Sequence, residues 1–166
     1  MPEPIGRLLG VDLGDKRTGL AVCDDLGMLA VPLETIEEPS REKLAQKIVA
    51  ACKRQDISAI VIGLPYNMDG SEGPRARLIR EFSKVLAAAG APTVHFQDER
   101  LTSWEAEGKL IAAGVKRGKR KGKLDAAAAQ MILQAYLDRV APRVVSDAMP
   151  DVLPPHKPSH GRKARR

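Results

Sequence analysis

Asp12 stands out in the run Leu8-Leu9-Gly10-Val11-Asp12-Leu13, where it is a lone carboxylate in an apolar strand-like segment. Such a group is costly to bury unless a cation, a hydrogen-bond network or a metal ion pairs with it. Two further acidic sites lie downstream. Asp98-Glu99 follows an apolar run directly, and Asp125 opens a long helical stretch. Singly, each has an ordinary explanation. Asp12 is a loop acid bound to backbone amides, Glu99 pairs with Arg100, and Asp125 caps a helix. Together they suggest carboxylates gathered at one place, which repel one another and are stabilised by a divalent cation. Oxygen-only ligands select Mg²⁺ or Mn²⁺. Such a site hydrolyses phosphodiesters by direct attack of water, and no side chain in the set is a suitable nucleophile. Asp98 is an alternative to Glu99 as the ligand.

The cations point toward nucleic acid. Lys116-Arg117-Gly118-Lys119-Arg120-Lys121-Gly122-Lys123 concentrates basic residues just before Asp125, and Arg162, Lys163, Arg165 and Arg166 close the sequence. The formal net charge is +6. A solvated charge run is the common fate of such a segment, but beside carboxylates it would attract a phosphate backbone and steer it to the metal. With only two Phe, two Tyr and one Trp in 166 residues, stacking platforms for single strands are not evident. Recognition would then rest on phosphates and shape. Other motifs carry less. His156 and His160 have no cysteine pair beside them. His95 falls inside a strand-like run and reads as packed. The Gly63–Gly73 stretch lacks the GK[ST] of a P-loop.

The elements that would position these groups can be read from periodicity. Strands are expected at about Arg7–Leu13, Thr18–Cys23 and Met28–Thr35, with a turn at Asp24-Asp25-Leu26-Gly27, and Pro32 marks the third as an edge strand. Ser40 caps a helix of about Arg41–Gln55, with Leu44, Ile48 and Cys52 on one face. Ala59–Gly63 is a short, continuously apolar strand of the type buried on both faces. A helix of about Pro74–Ala89 follows, with Leu78, Ile79, Phe82, Val85, Leu86 and Ala89 as its stripe and Gly90 as its stop. A fifth strand spans about Thr93–Gln97. Thr102-Ser103-Trp104-Glu105 opens a helix to about Ala113. The basic run reads as a loop, and a last helix covers about Leu124–Val140 with Ala127, Met131, Leu133, Ala135 and Leu137. Three meandering strands followed by two that alternate with helices give a mixed five-stranded α/β sheet, three strands antiparallel and two parallel, with helices on both faces. That is the ribonuclease H-like arrangement. One domain, about residues 1–144, fits the length, and the Pro-rich basic stretch 145–166 reads as a disordered tail.

Composition narrows the setting. No apolar run approaches the ~20 residues of a membrane span, and Met-Pro-Glu-Pro is not the start of a secretory signal. Cys23 and Cys52 form no CxxC and read most simply as free thiols of a reducing cytosol, with a single disulfide between them as the alternative.

Four segments in order, Asp12-Leu13-Gly14-Asp15-Lys16-Arg17-Thr18-Gly19, Gly63-Leu64-Pro65-Tyr66-Asn67-Met68-Asp69-Gly70-Ser71, Asp98-Glu99-Arg100-Leu101-Thr102-Ser103 and Lys123-Leu124-Asp125-Ala126-Ala127-Ala128-Ala129, resemble the YqgF/RuvX family. The resemblance runs from about Arg7 to Asp138. It implies a ribonuclease H-like fold related to the RuvC resolvases. It also implies a cytoplasmic nuclease that matures the 5′ end of 16S rRNA from its precursor, with Holliday-junction resolution as an older assignment. By the same resemblance, Asp12, Glu99 and Asp125 are the catalytic, metal-binding acids. The loop Asn67–Gly70 borders the site, and Arg17 and Arg100 contact phosphate. The partner is precursor 16S rRNA or the immature small ribosomal subunit. Both a monomer and a dimer stay open, although a four-way junction would call for a symmetric dimer. Two other classes compete. One is a non-catalytic RNA-binding assembly factor. The other is an actin-like ATPase or sugar kinase, suggested by Asp12-x-Gly14 with Thr18-x-Gly19, although that fold needs two copies of the domain.

Overall fold

The structure is a computed structural model, and it describes residues 5–98 and 117–140. The strands are β1 (Leu8–Leu13), β2 (Arg17–Cys23), β3 (Ala30–Glu37), β4 (Ala59–Leu64) and β5 (Thr93–Asp98). The helices are α1 (Arg41–Arg54), α2 (Pro74–Ala88) and α3 (Arg117–Val140). The strand order is β3-β2-β1-β4-β5. β1 pairs antiparallel with β2 and parallel with β4, and β5 extends the parallel half. The expected mixed sheet is therefore present, with β3 on an edge, where Pro32 costs no ladder bond to a further strand.

The two faces of the sheet have separate cores. Leu9, Val11 and Leu13 point to the side covered by α1 and α2, where Leu44, Ile48, Ile79, Phe82 and Leu86 are buried. Leu8, Ala21, Cys23 and Val61 point the other way, under Ala129, Ile132, Leu133 and Leu137 of α3. Side chains alternate along a strand, so Gly10 and Asp12 share the α3 face with Leu8. Ser40 caps α1 by accepting from the Lys43 amide at 3.3 Å. Gly90 takes φ +90° after α2, a left-handed conformation that glycine adopts at little cost.

Several expectations need correction. The basic run from Arg117 onward is not a loop, because α3 begins at Arg117 rather than Leu124. Lys and Arg are good helix formers, and two glycines did not suffice to break the helix. The buried row of α3 is Ala126, Ala129, Leu133 and Leu137, with Ala128 and Ile132 beside it. Ala127, Met131 and Ala135 sit one row off it and are only half-buried. On α2, Leu78 is exposed, and Ala76 is buried in its place. β3 starts at Ala30 rather than Met28 because the turn before it engages the preceding groups, the Met28 amide donating to Asp24 Oδ1 at 2.7 Å and the Asp24 amide donating to the Leu29 carbonyl at 3.2 Å, and side chains of α3 then hold Ala30. Gln134 accepts from the Ala30 amide at 2.9 Å, and Gln130 donates to the Ala30 carbonyl at 3.0 Å. Cys23 and Cys52 are buried free thiols, as expected. The expected helix at 104–113 and the tail at 145–166 lie outside the described residues.

Candidate active site

Asp12 is the only residue of β1 that is not fully buried. It sits at the carboxyl end of β1, beside the parallel strand β4, where open α/β sheets gather their sites. Its register partner on β2 is Gly19. A side chain at Gly19 would run into the backbone carbonyl of Asp125. At Gly10, a Cβ would stand 2.7 Å from Leu133 Cβ and 2.8 Å from the Ala129 carbonyl. The two glycines thus let the backbone of α3 lie directly on β1 and β2. Because the second of them faces Asp12, helix and sheet bring Asp125 to Asp12.

The electrostatics record this meeting. The Asp12 carboxyl is pushed up from 3.8 to about 6, first by burial and then by the negative charge of Asp125, with the Arg75 guanidinium opposing both. A carboxyl raised to about 6 by burial, and further by a neighbouring acid, is an arrangement that a dication would relieve. The donors are carboxylate oxygens alone, which suits Mg²⁺ or Mn²⁺ and not a thiolate-seeking metal. Among the described residues no group of three acidic, His or Cys side chains forms, so this pair is the part of the set the structure brings together. Glu99, Arg100 and Lys116 lie outside the described residues.

Asp98 ends β5 opposite Leu64. Leu64 and Phe96 belong to the core beneath α1 and α2, so strand alternation puts Asp98 on the face away from Asp12. The backbone of Arg117, Lys119, Arg120, Lys121 and Lys123 is helical and continuous with Asp125. At about 1.5 Å rise per residue, the run lies within roughly 12 Å of Asp125 along the helix axis. Arg17 is held by Glu37, its register partner on β3, through Nε donating to Oε1 at 2.7 Å.

The Asn67–Gly70 loop is closed by its own bonds. The Gly70 amide donates to Asn67 O at 2.8 Å, the Asn67 amide to Ser71 O at 2.8 Å, and the Ser71 hydroxyl to Asp69 at 2.6 Å. These Ser71 bonds hold the Asp69 carboxyl below its usual range. Tyr66 and Gly70 line a cleft of about 370 Å³ with Phe96, Gln97, Asp98 and Arg139. The loop therefore stands at the carboxyl ends of β4 and β5, one strand over from Asp12. His95 is exposed on the edge strand rather than packed in a core, and it stacks on Tyr136 at 5.6 Å.

Sequence reasoning missed Arg75. It is the second residue of α2, and its Nη2 donates to the Leu13 carbonyl at 2.7 Å while Nη1 donates to Asp15 Oδ1 at 3.2 Å. The available signal was Pro74. A proline at the first helical position after β4 fixes the next residue at the carboxyl ends of the strands.

A family model described as "RuvX: Holliday junction resolvase" matches residues 6–139. A relative from Anaeromyxobacter sp. (strain K), named "Putative pre-16S rRNA nuclease", is 44% identical over 136 residues, 82% of this chain and 99% of the relative. One of the same name from Trichormus variabilis is 43% identical over 130 residues, 78% of this chain and 86% of the relative. Among solved structures, a fowlpox virus resolvase in complex with Holliday junction DNA superposes with a TM-score of 0.50 at 13% identity, over 81% of this chain and 99% of that one. That likeness, together with the strand order, gives the ribonuclease H-like fold. The family match spans the sheet, Asp12 and Asp125 alike, and with relatives above 40% identity over most of the sequence, the chain belongs to the RuvX family.

Proposed function

We propose that this protein is a metal-dependent endonuclease that hydrolyses phosphodiester bonds in structured RNA and matures the 5′ end of 16S rRNA from its precursor. The observation that carries this is the seating of Asp125 on Gly19, opposite Asp12, at the carboxyl end of β1. The named activity of the relatives supports the class of reaction and of substrate. Asp12 and Asp125 would hold Mg²⁺ or Mn²⁺, and Glu99 is the third ligand of choice because Asp98 shares the other face of the sheet. Bound there, the ion supplies an activated water and neutralises charge on the phosphate. The chain's own part is to bind and aim the nucleic acid. The basic start of α3, with Lys116 before it, draws the phosphate backbone toward Asp125, and Arg17 and Arg100 are further phosphate contacts. For Arg17, binding requires release from Glu37, an exposed pair of the kind that holds weakly.

The description of the family favours a second substrate, the four-way DNA junction. One experiment separates the two. Purified protein and Asp12→Asn are given a labelled precursor 16S 5′ leader or a four-way DNA junction, with Mg²⁺, Mn²⁺ or EDTA. Metal-dependent cutting of the RNA, lost in Asp12→Asn, is the expected result. Cutting of the junction alone would reassign the substrate. Binding of RNA without cutting, even on immature small subunits, would reduce the protein to an assembly factor. An Asp12→Asn protein that cleaves at the wild-type rate would remove the site.

A further inference from the structure

Arg75 is held across the end of β1 by two bonds of different kinds. The Nη2 bond goes to the backbone carbonyl of Leu13, the residue after Asp12, at 2.7 Å. The Nη1 bond goes to the Asp15 carboxylate at 3.2 Å, between side chains that are 46% and 79% exposed. The first fixes the guanidinium to the strand that carries Asp12. The second is an ion pair in open solvent, which contributes little and exchanges readily. A guanidinium has five N–H donors in a rigid fork, so these two bonds leave donors directed elsewhere. The fork matches two oxygens of a phosphate, and charge-assisted bonds of that kind are stronger than an exposed carboxylate pair. Asp15 is thus a resident anion on a cation that is anchored beside the reacting carboxylate.

We infer that Arg75 is a phosphate-binding residue of the site, and that a phosphodiester group of the nucleic-acid backbone replaces Asp15 on its guanidinium while the Leu13 carbonyl keeps the arginine in place. This rests on the nuclease reading above and adds to it a contact that neither the acidic residues nor the basic run supplies. A purely structural role for Arg75 would be met by the Leu13 bond alone and would leave Asp15 irrelevant to binding. The exchange makes Asp15 a competitor of the substrate, and that can be tested.

The test uses the full chain and a fluorescently labelled precursor 16S 5′ leader RNA. Binding is measured in the Asp12→Asn background, so that the probe survives, and kcat/KM with Mg²⁺ is measured without that substitution. Arg75→Gln should weaken binding roughly tenfold and reduce the slope of log K against log salt by about 0.7–0.9. It should raise KM more than it lowers kcat. Arg75→Lys, which keeps the charge but loses the fork, should recover part of the affinity. Asp15→Asn should tighten binding by about two- to fivefold, and that gain should disappear when Arg75 is already Gln. An Arg75→Gln protein with unchanged affinity and salt slope would overturn the inference. So would a gain from Asp15→Asn that persists in the double variant, since simple charge removal is additive. If Asp12→Asn abolishes cleavage while Arg75→Gln changes nothing, only the phosphate contact is wrong. If Asp12→Asn cleaves normally, the nuclease reading fails, and this inference fails with it.

Discussion

Asp12 should destabilise the metal-free protein, and removing its charge should make the fold stronger. Its carboxyl is raised from 3.8 to about 6 by burial and by Asp125. Between those two values the folded state holds the proton more tightly than the unfolded state does. The penalty is therefore absent below about pH 4, grows as pH rises, and is complete above pH 6. At about 1.4 kcal/mol per pH unit, it amounts to on the order of 2–3 kcal/mol. Asparagine cannot ionise and escapes it. In EDTA at pH 7.5, Asp12→Asn should exceed the wild type by that amount in urea unfolding, or by roughly 5–10 °C in Tm for a domain of this size. At pH 4 the two should nearly coincide. Carboxylates away from this pair, such as Glu72, which the Arg80 side chain holds below its usual range, titrate equally in both proteins and cancel in the difference, while relief of Asp125 from its charged neighbour acts in the same direction as the loss of the Asp12 penalty. Adding Mg²⁺ at pH 7.5 should raise the wild-type Tm, because the ion binds the folded state, and should raise that of Asp12→Asn much less. An Asp12→Asn protein less stable than the wild type at pH 7.5 in EDTA would refute the reasoning. It would mean that Asp12 makes bonds worth more than the burial and repulsion it suffers.

Three further outcomes are expected. Gly19→Ala should push α3 off β2 at a cost of about 1–3 kcal/mol, and it should lower kcat in conditions where the variant is fully folded, because Asp125 no longer meets Asp12; full activity with full stability would contradict the seating of the helix. Substitution of Lys119, Arg120 and Lys121 together by Ala should weaken nucleic-acid binding across sequences and flatten its salt dependence, read by anisotropy in a salt series; an unchanged slope would remove that role. Ser40→Ala should cost about 1 kcal/mol in urea unfolding through loss of the bond to the Lys43 amide; an unchanged midpoint would show the cap to be idle.

Elements with a strong local signal were legible in the sequence. β4 is a continuous apolar run, and only a strand buried on both faces suits it. Ser40, Pro74 and Gly90 mark helix ends by backbone chemistry that needs no tertiary context. Asp12 was legible as a carboxylate out of place. What places Asp125 opposite it was not, because the device is the absence of side chains at Gly10 and Gly19, and a glycine in a strand looks the same whether it marks a bulge or a close helix. Arg75 escaped for a related reason. Its role depends on the end of β1, 62 residues earlier in the chain, and no local pattern reports that distance. The row of α3 that faces the sheet was misjudged because alanines fill both the buried row and its neighbours. Only contact with Gly10 decides between them.

The start of α3 brings the two halves of the proposal together. A helix presents partial positive charge at its N-terminus, so cations there are unfavourable by a few tenths of a kcal/mol each, and each interior glycine costs about 1 kcal/mol relative to alanine. α3 has no acid in its first turn, and its opening turns carry Arg117, Lys119, Arg120, Lys121 and Lys123 with Gly118 and Gly122. Helix stability alone would not select this composition, whereas a phosphate backbone alongside is attracted both by the cations and by the helix dipole and so offsets their cost. Binding of the leader RNA should therefore slow amide hydrogen exchange across residues 117–124, while exchange in the middle of α3, fixed by Leu133 and Leu137, stays as it was. The Lys119/Arg120/Lys121→Ala protein should begin with slower exchange in those turns and gain little from RNA. If RNA binds tightly and exchange over 117–124 does not change, the nucleic acid does not reach this end of α3, and the route by which the basic run delivers it to Asp125 is wrong.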